Sequence, residues 1–259
     1  MSFHATAEHQ DRMLYRMVKN DATSYTPAAA VYLGLLTALS ADGDTFTEVT
    51  SVEGYARQAI TFGVPDANGV SANTSAIAFG AATADKGTVT HYGIYDALTA
   101  GNLLYFMPIS GGLEYDVGLS VSLAIGNGTI AYEGHVVPTM STKLINYYLR
   151  NQSWTAITVV KIALATAYTD ESTFTEVTGG SYARVTLSLT GTPSGSVFTN
   201  DTELAFPTAS ASWGTVTHAL LMAGDTSTVI MAKARSSAKF VLSGRTIKYP
   251  IGNLAISMD

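Results

Sequence analysis

The chain has 259 residues, of which 47% are hydrophobic and only 13% charged, with a formal net charge of -6 and no cysteine. Thr, Ser and Gly replace the missing charges, a mix that suits β-structure rich in turns and surfaces buried against other subunits. Disulfides and thiolate metal sites are excluded. With no Lys/Arg cluster, the chain carries neither the basic footprint of a nucleic-acid binder nor a polybasic membrane patch.

The first ten residues lack a basic stretch followed by an apolar one and do not read as a signal peptide. Ala7 to Asn20 places Met13, Leu14, Met17 and Val18 at helical spacing and predicts a short helix. The most apolar window, Ala28 to Leu39, is interrupted by Gly34. It is too short for a membrane span, which needs roughly 20 residues, so a soluble protein is expected. Alternating or apolar segments follow at Tyr55 to Phe62, Thr88 to Tyr95, Leu103 to Met107 and Leu119 to Ile125. Turn-rich stretches such as Ser40 to Asp44 and Pro65 to Gly69 separate them. Beyond the short linker Gly134 to Val137, Ser141 is a candidate N-cap for a second helix with Leu144, Ile145, Tyr148 and Leu149 on one face. A further strand segment, Tyr182 to Leu189, precedes a turn at Gly191 to Gly195.

Self-comparison organises these elements. Thr45-Phe46-Thr47-Glu48-Val49-Thr50 recurs as Thr173-Phe174-Thr175-Glu176-Val177-Thr178, and Tyr55-Ala56-Arg57 as Tyr182-Ala183-Arg184. Asn73 recurs as Asn200, and Gly87-Thr88-Val89-Thr90-His91 as Gly214-Thr215-Val216-Thr217-His218. Ile125-Gly126-Asn127 recurs as Ile251-Gly252-Asn253. All matches keep one order, and the offset drifts only from 128 (45 to 173) to 126 (125 to 251). The expected organisation is a first β-module over 1–133 and a homologous one over 138–259. The expected fold is mainly β: two tandem antiparallel β-sandwich or barrel-like domains, each preceded by a short N-terminal α-helix. About six to eight strands are expected in each.

The residues offer little chemistry. None of His4, His9, His91, His135 and His218 has a second ligand at metal spacing. The repeat-equivalent His91 and His218 read as sheet residues hydrogen-bonded to a neighbouring strand, pointing with Val89 and Val216, rather than as a base or ligand. Asp42 and Asp44 read as a solvated turn, since calcium needs more oxygen ligands. No nucleophile elbow, phosphate-binding loop or dinucleotide fingerprint occurs. Alternation places Tyr55 with Arg57, and Tyr182 with Arg184, on one strand face, where an Arg stem on a Tyr ring serves fold maintenance before recognition. Trp213 could stack on a sugar, but buried packing is the commoner use of such a ring. No catalytic residue, cofactor or metal is assigned. Tyr55, Arg57, His91, Tyr182, Arg184, Trp213 and His218 are candidate structural or contact residues.

Several segments resemble a phage-encoded family labelled tail fibre protein, whose modules also occur as head decoration proteins. The first repeat supplies Val31-Tyr32-Leu33-Gly34-Leu35-Leu36-Thr37-Ala38, Gly54-Tyr55-Ala56-Arg57, and Gly87-Thr88-Val89-Thr90-His91-Tyr92-Gly93-Ile94-Tyr95-Asp96-Ala97. The second supplies Phe206-Pro207-Thr208-Ala209 through Trp213-Gly214-Thr215-Val216-Thr217-His218 and the closing Leu254 to Asp259. Lys86 stands where the family pattern has Trp, and Ala223 where Asp96 would repeat. The resemblance implies a non-enzymatic virion component on the outer surface of a bacteriophage, assembled in the host cytoplasm. Its partners would be other virion proteins, either the major capsid protein or tail proteins. The first expectation is a homotrimeric capsid decoration (cement) protein, in which three double modules give a pseudo-sixfold arrangement. The second is a tail fibre or baseplate module contacting the host, and the third a carbohydrate-binding module.

Overall fold

A computed structural model describes residues 2–19, 25–50, 54–132, 134–155, 157–189, 193 and 195–258. Asn20 as the helix end, Glu133 as a module boundary, Gly191, Thr192 and Ser194 of the expected turn, and Asp259 lie outside the described residues.

The first repeat opens on strand β1 (Ser2–Ala5), ahead of the expected helix, which is α1 (Ala7–Leu14) continued by a π-helical turn at Tyr15–Lys19. Strands β2 (Val31–Leu39), β3 (Phe46–Glu48), β4 (Gln58–Ile60), β5 (Ser71–Ala72) and β6 (Ile77–Ala78) follow. Then come β7 (Thr88–Tyr95), β8 (Leu103–Glu114), β9 (Ser122–Leu123) and β10 (Thr129–Ile130). The second repeat holds α2 (Pro138–Arg150), β11 (Val160–Tyr168), β12 (Phe174–Glu176), β13 (Val185–Thr186) and β14 (Val197–Thr199). It continues with β15 (Leu204–Ala205), β16 (Gly214–Ala223), β17 (Val229–Val241), β18 (Lys248–Tyr249) and β19 (Ala255–Ser257). The mainly β, two-repeat architecture is the one expected. The strand number is higher, ten and nine among the described residues, because short two-residue pairings leave little trace in the hydrophobic pattern.

The described residues pack as two compact units. One is drawn from Met1–Gln10, Tyr25–Ala131 and Thr142–Trp154, the other from Asp11–Ser24, Tyr132–Ser141 and Thr155–Asp259. In the first unit the sheet order is β3-β2-β7-β8-β1-β10-β5, with β4 also on β2. The named pairs of this sheet are antiparallel except β1 with β10, which run parallel. In the second unit the order is β12-β11-β16-β17, with β13 on β11 and separate ribbons β14-β19 and β15-β18. The central strands are buried on both faces: Leu35 and Leu36, Leu103 to Tyr105, and Ala163 to Ala165 are all nearly inaccessible. Burial on both faces explains why these segments read as continuous apolar runs rather than alternations.

Each helix seats its expected apolar face. Met13, Leu14 and Met17, and in α2 Leu144, Ile145 and Tyr148, are fully or almost fully buried. Thr6 caps α1, its Oγ1 accepting from His9 N at 3.2 Å. Ser141 does not cap α2. Pro138 already occupies the first helical turn, where its missing N–H costs nothing, and Ser141 is buried inside the helix. The free N–H groups meet carboxylates instead: Glu8 N donates to Asp44 at 3.1 Å, and Thr139 N to Glu171 at 3.1 Å. A carboxylate beside a helix N-terminus is favoured by the backbone dipoles, so Asp44 does more than line a solvated turn.

Candidate functional site

The edge of β2 is shared by two short strands. β4 pairs with Val31 to Leu33, and β3 with Leu36 to Leu39. Between them the Leu35 backbone faces the chain that links β3 to β4. Its carbonyl accepts from Val49 N at 2.9 Å, and its N–H donates to the Tyr55 hydroxyl at 2.9 Å. The hydroxyl in turn donates to Glu48 Oε1 at 2.8 Å.

Arg57 completes the cluster. Its Nε and Nη2 hold both Glu48 oxygens at 2.8 and 2.6 Å, the strong two-pronged arrangement of guanidinium on carboxylate. Its Nη1 donates to the carbonyls of Ala97 and Ala100 in the β7–β8 turn. Two separate chain segments, β3 and the β7–β8 turn, are thereby fastened to one side chain. Arg57 does not lie on Tyr55, as strand alternation suggested. Both residues precede β4, so the two-residue rule does not apply. The guanidinium sits over Tyr95, 3.4 Å from the ring centre, while Tyr55 stacks on Phe79.

The second repeat reproduces the arrangement. Leu164 N donates to Tyr182 Oη at 2.8 Å, which donates to Glu176 at 3.0 Å. Arg184 grips both Glu176 oxygens and the carbonyls of Gly224 and Thr226. Burial pushes both tyrosines well above their ordinary pKa, so they stay neutral donors. For Arg57, burial opposes the charge, but the Glu48 hydrogen bonds and charge outweigh it. For Arg184, the Glu176 hydrogen bonds raise the pKa against burial. Each carboxylate accepts once from a phenol and twice from a guanidinium, so the cluster ties these strands together.

The clusters differ in what lies beneath. A Cβ on Gly34 would approach Tyr95 Cε2 to 2.8 Å, and one on Gly93 would approach Leu103 Cδ1 to 2.7 Å and Tyr95 to 3.1 Å. The register places Ala163, Leu220 and Met222 at the positions of Gly34, Gly93 and Tyr95. One repeat fills this space with a tyrosine ring over two glycines, the other with Ala, Leu and Met.

The other candidates are separate from these clusters. His91 Nδ1 and Thr90 Oγ1 lie 2.9 Å apart, and His218 Nδ1 and Thr217 Oγ1 2.8 Å. Each Thr hydroxyl also reaches the neighbouring strand, at Leu36 O and Ala165 O. The cross-strand link is therefore indirect. The register shift beside Val89 and His91, repeated beside Val216 and His218, comes from extra residues on the partner strands, where the pairing jumps from Leu113 to Pro108 on β8 and from Lys239 to Ala234 on β17. Burial lowers the pKa of His91. Trp213 is 4% exposed, donates its indole N–H to Gly180 O at 2.9 Å and meets Tyr182 edge-on. That ring is committed to packing and presents no face to a sugar.

Two sets of residues escaped the sequence reading. Glu48 and Glu176 lie in the repeated Thr-Phe-Thr-Glu-Val-Thr segment, and their recurrence as acidic residues was the available signal. Asn73 and Asn200 are buried, and each side chain binds three or four backbone groups of nearby turns. The repeated Ile125 and Ile251, by contrast, are 63% and 66% exposed at turn tips. Among the described residues no group of three or more His, Asp or Glu gathers to hold a metal ion, and no helix is long and apolar enough to cross a membrane.

Comparison with protein families matches the model described as Podophage GP4 fiber I protein gp80 twice, over residues 6–131 and 136–257. No curated protein gives a significant match. The two matches take in nearly the whole chain and fall one on each repeat, so the chain belongs to this phage fibre family, of which it carries two tandem copies.

Proposed function

We propose that this is a non-enzymatic fibre component of a bacteriophage particle, built from two modules over 1–133 and 138–259 and assembled through its surfaces with other virion proteins. The observation that carries this reading is the double match to a fibre family. The Glu–Tyr–Arg clusters agree with it, because their polar groups are spent on holding each sheet together. Repeat-equivalent Ile125 and Ile251, exposed on matching turns, are suited to contacts between subunits. The composition, with 13% charged residues, also favours extensive burial against neighbours.

Capsid decoration by a homotrimer is the second reading. It is favoured by the low charge and by the pseudo-sixfold symmetry that three double modules would create. Labelling virions with antibodies against the protein separates the two. A fibre component places the label at the tail, and the antibodies block adsorption. Label spread over the head, with adsorption unaffected, would overturn the fibre reading and favour decoration.

A further inference from the structure

The second unit contains an open cleft of about 280 Å³ between β17 and β19. Its lining includes Met231, Lys233 and Arg235 from β17, Ile256 and Ser257 from β19, and His135. The corresponding place in the first unit holds a strand. There β1 bridges two neighbours: Ser2 and Phe3 pair in parallel with Thr129 and Ile130 of β10, and His4 and Ala5 pair antiparallel with Phe106 and Tyr105 of β8. Phe3 is 1% exposed, with its ring edge-on to Phe62 at 6.4 Å.

The second repeat begins the same way and then stops short. Val136 bridges Met231, as Ala5 pairs with Tyr105. Val137 N donates to Ile230 O at 3.3 Å, as Thr6 N does to Leu104 O at 3.0 Å. Counting back from Val136, Gly134 stands where Phe3 stands in the first repeat. Gly134 has φ +84°, a left-handed turn incompatible with an extended strand. Among the described residues, β14 is the only strand paired with β19. The space used by Phe3 and by the leading half of β1 is therefore left open.

The lining has changed in the same direction. By register, Lys233 and Arg235 occupy the positions of Met107 and Ile109 of β8. Met107 is fully buried, whereas Lys233 is exposed. Two cations thus flank the slot in a chain of net charge -6. Arg235 donates from Nη1 to the Tyr249 hydroxyl at 2.6 Å, and its buried Nε has no acceptor among the described residues.

We propose that this cleft is a docking slot for an extended segment of another virion protein. The segment adds as a strand parallel to β19, in the place that Ser2 and Phe3 take in the first unit and ahead of the His135–Val136 stretch already paired with β17. It places an aromatic or large apolar side chain where Phe3 sits in the first unit and a carboxylate against Lys233 and Arg235. Strand addition draws affinity from backbone hydrogen bonds and specificity from side-chain pockets. A second copy of this chain is the poorer occupant: its matching segment, Ser2 to Ala5, contains no acid and is already committed to its own unit. The proposal holds whether the protein sits on the tail or the head.

The test uses the full chain and a fluorescein-labelled peptide, Glu-Asp-Ser-Phe, followed by anisotropy at low salt. Saturable binding is expected. It should weaken about tenfold or more when the peptide Phe is replaced by Ala, as loss of a buried aromatic side chain implies. It should weaken with Lys233→Glu and with added salt, and disappear with Ala255→Trp, a substitution at an exposed lining position. Circular dichroism establishes that the two protein variants fold, and the peptide Phe→Ala comparison stands even if they do not. Absence of saturable binding at millimolar peptide would overturn the proposal. So would binding indifferent to the Phe. Concentration-dependent self-association of the full chain that Ala255→Trp abolishes would overturn it in favour of a second copy.

Discussion

Replacing Tyr55 by Phe removes one oxygen and leaves the ring stacked on Phe79. That oxygen is the acceptor for Leu35 N–H and a donor to Glu48. Leu35 is fully buried and Tyr55 is 3% exposed, so water has no route to the freed N–H. A buried donor without a partner costs about 1–3 kcal/mol. The lost hydrogen bond to Glu48 adds to this, but only in part, since the carboxylate keeps both contacts to Arg57. A destabilisation of about 2–3 kcal/mol follows, or a fall of about 4–12 °C in Tm for a chain of this size. Urea titration followed by circular dichroism measures it, with the midpoint moving and the slope unchanged. Because burial keeps the hydroxyl protonated, the loss should not vary between neutral and mildly alkaline pH. Tyr182→Phe tests the same link in the second repeat, where Tyr182 is more exposed and water can replace the hydroxyl, so the cost should be smaller. If Tyr55→Phe changed stability by less than about 0.5 kcal/mol, as an unremarkable surface substitution does, the hydroxyl would not be holding the edge of β2.

Two further substitutions test the differences between the repeats and the role of the sheet histidine. Gly34→Ala should destabilise by about 1–3 kcal/mol through overpacking against Tyr95, and Gly34→Ala with Tyr95→Met, the pair found in the second repeat, should recover part of that loss in the same urea titration. A double-mutant cycle without coupling would refute the volume argument. His91, whose pKa burial lowers, binds protons more readily unfolded than folded, so its contribution to stability is present above the unfolded value near 6.5 and is lost as pH falls through it toward the folded value. Tm measured from pH 8 to pH 5 should therefore fall less for His91→Asn than for the unaltered protein, and parallel curves would show that His91 titrates alike in both states.

The sequence determined what is local or periodic. The duplication was visible as ordered matches at nearly constant offset. Thr88 to Tyr95 read as a strand and is β7 to the residue, and the apolar faces of both helices were legible from their spacing. Family membership followed from the same repeated segments. Tertiary structure decided what depends on pairing across the chain. No spacing rule joins Glu48 to Tyr55 and Arg57, because the shared edge of β2 brings them together. Nor does local pattern show that Tyr148 of the second repeat packs against His9 of the first, or that Tyr15 meets Phe198. The capping of α2 by Glu171 instead of Ser141, and the burial of Trp213 under its bond to Gly180, belong to the same class. Helix and strand periodicities arise from backbone geometry over a few residues and are written into the chain. Which carboxylate meets which guanidinium is fixed only when the strand register closes loops of different lengths.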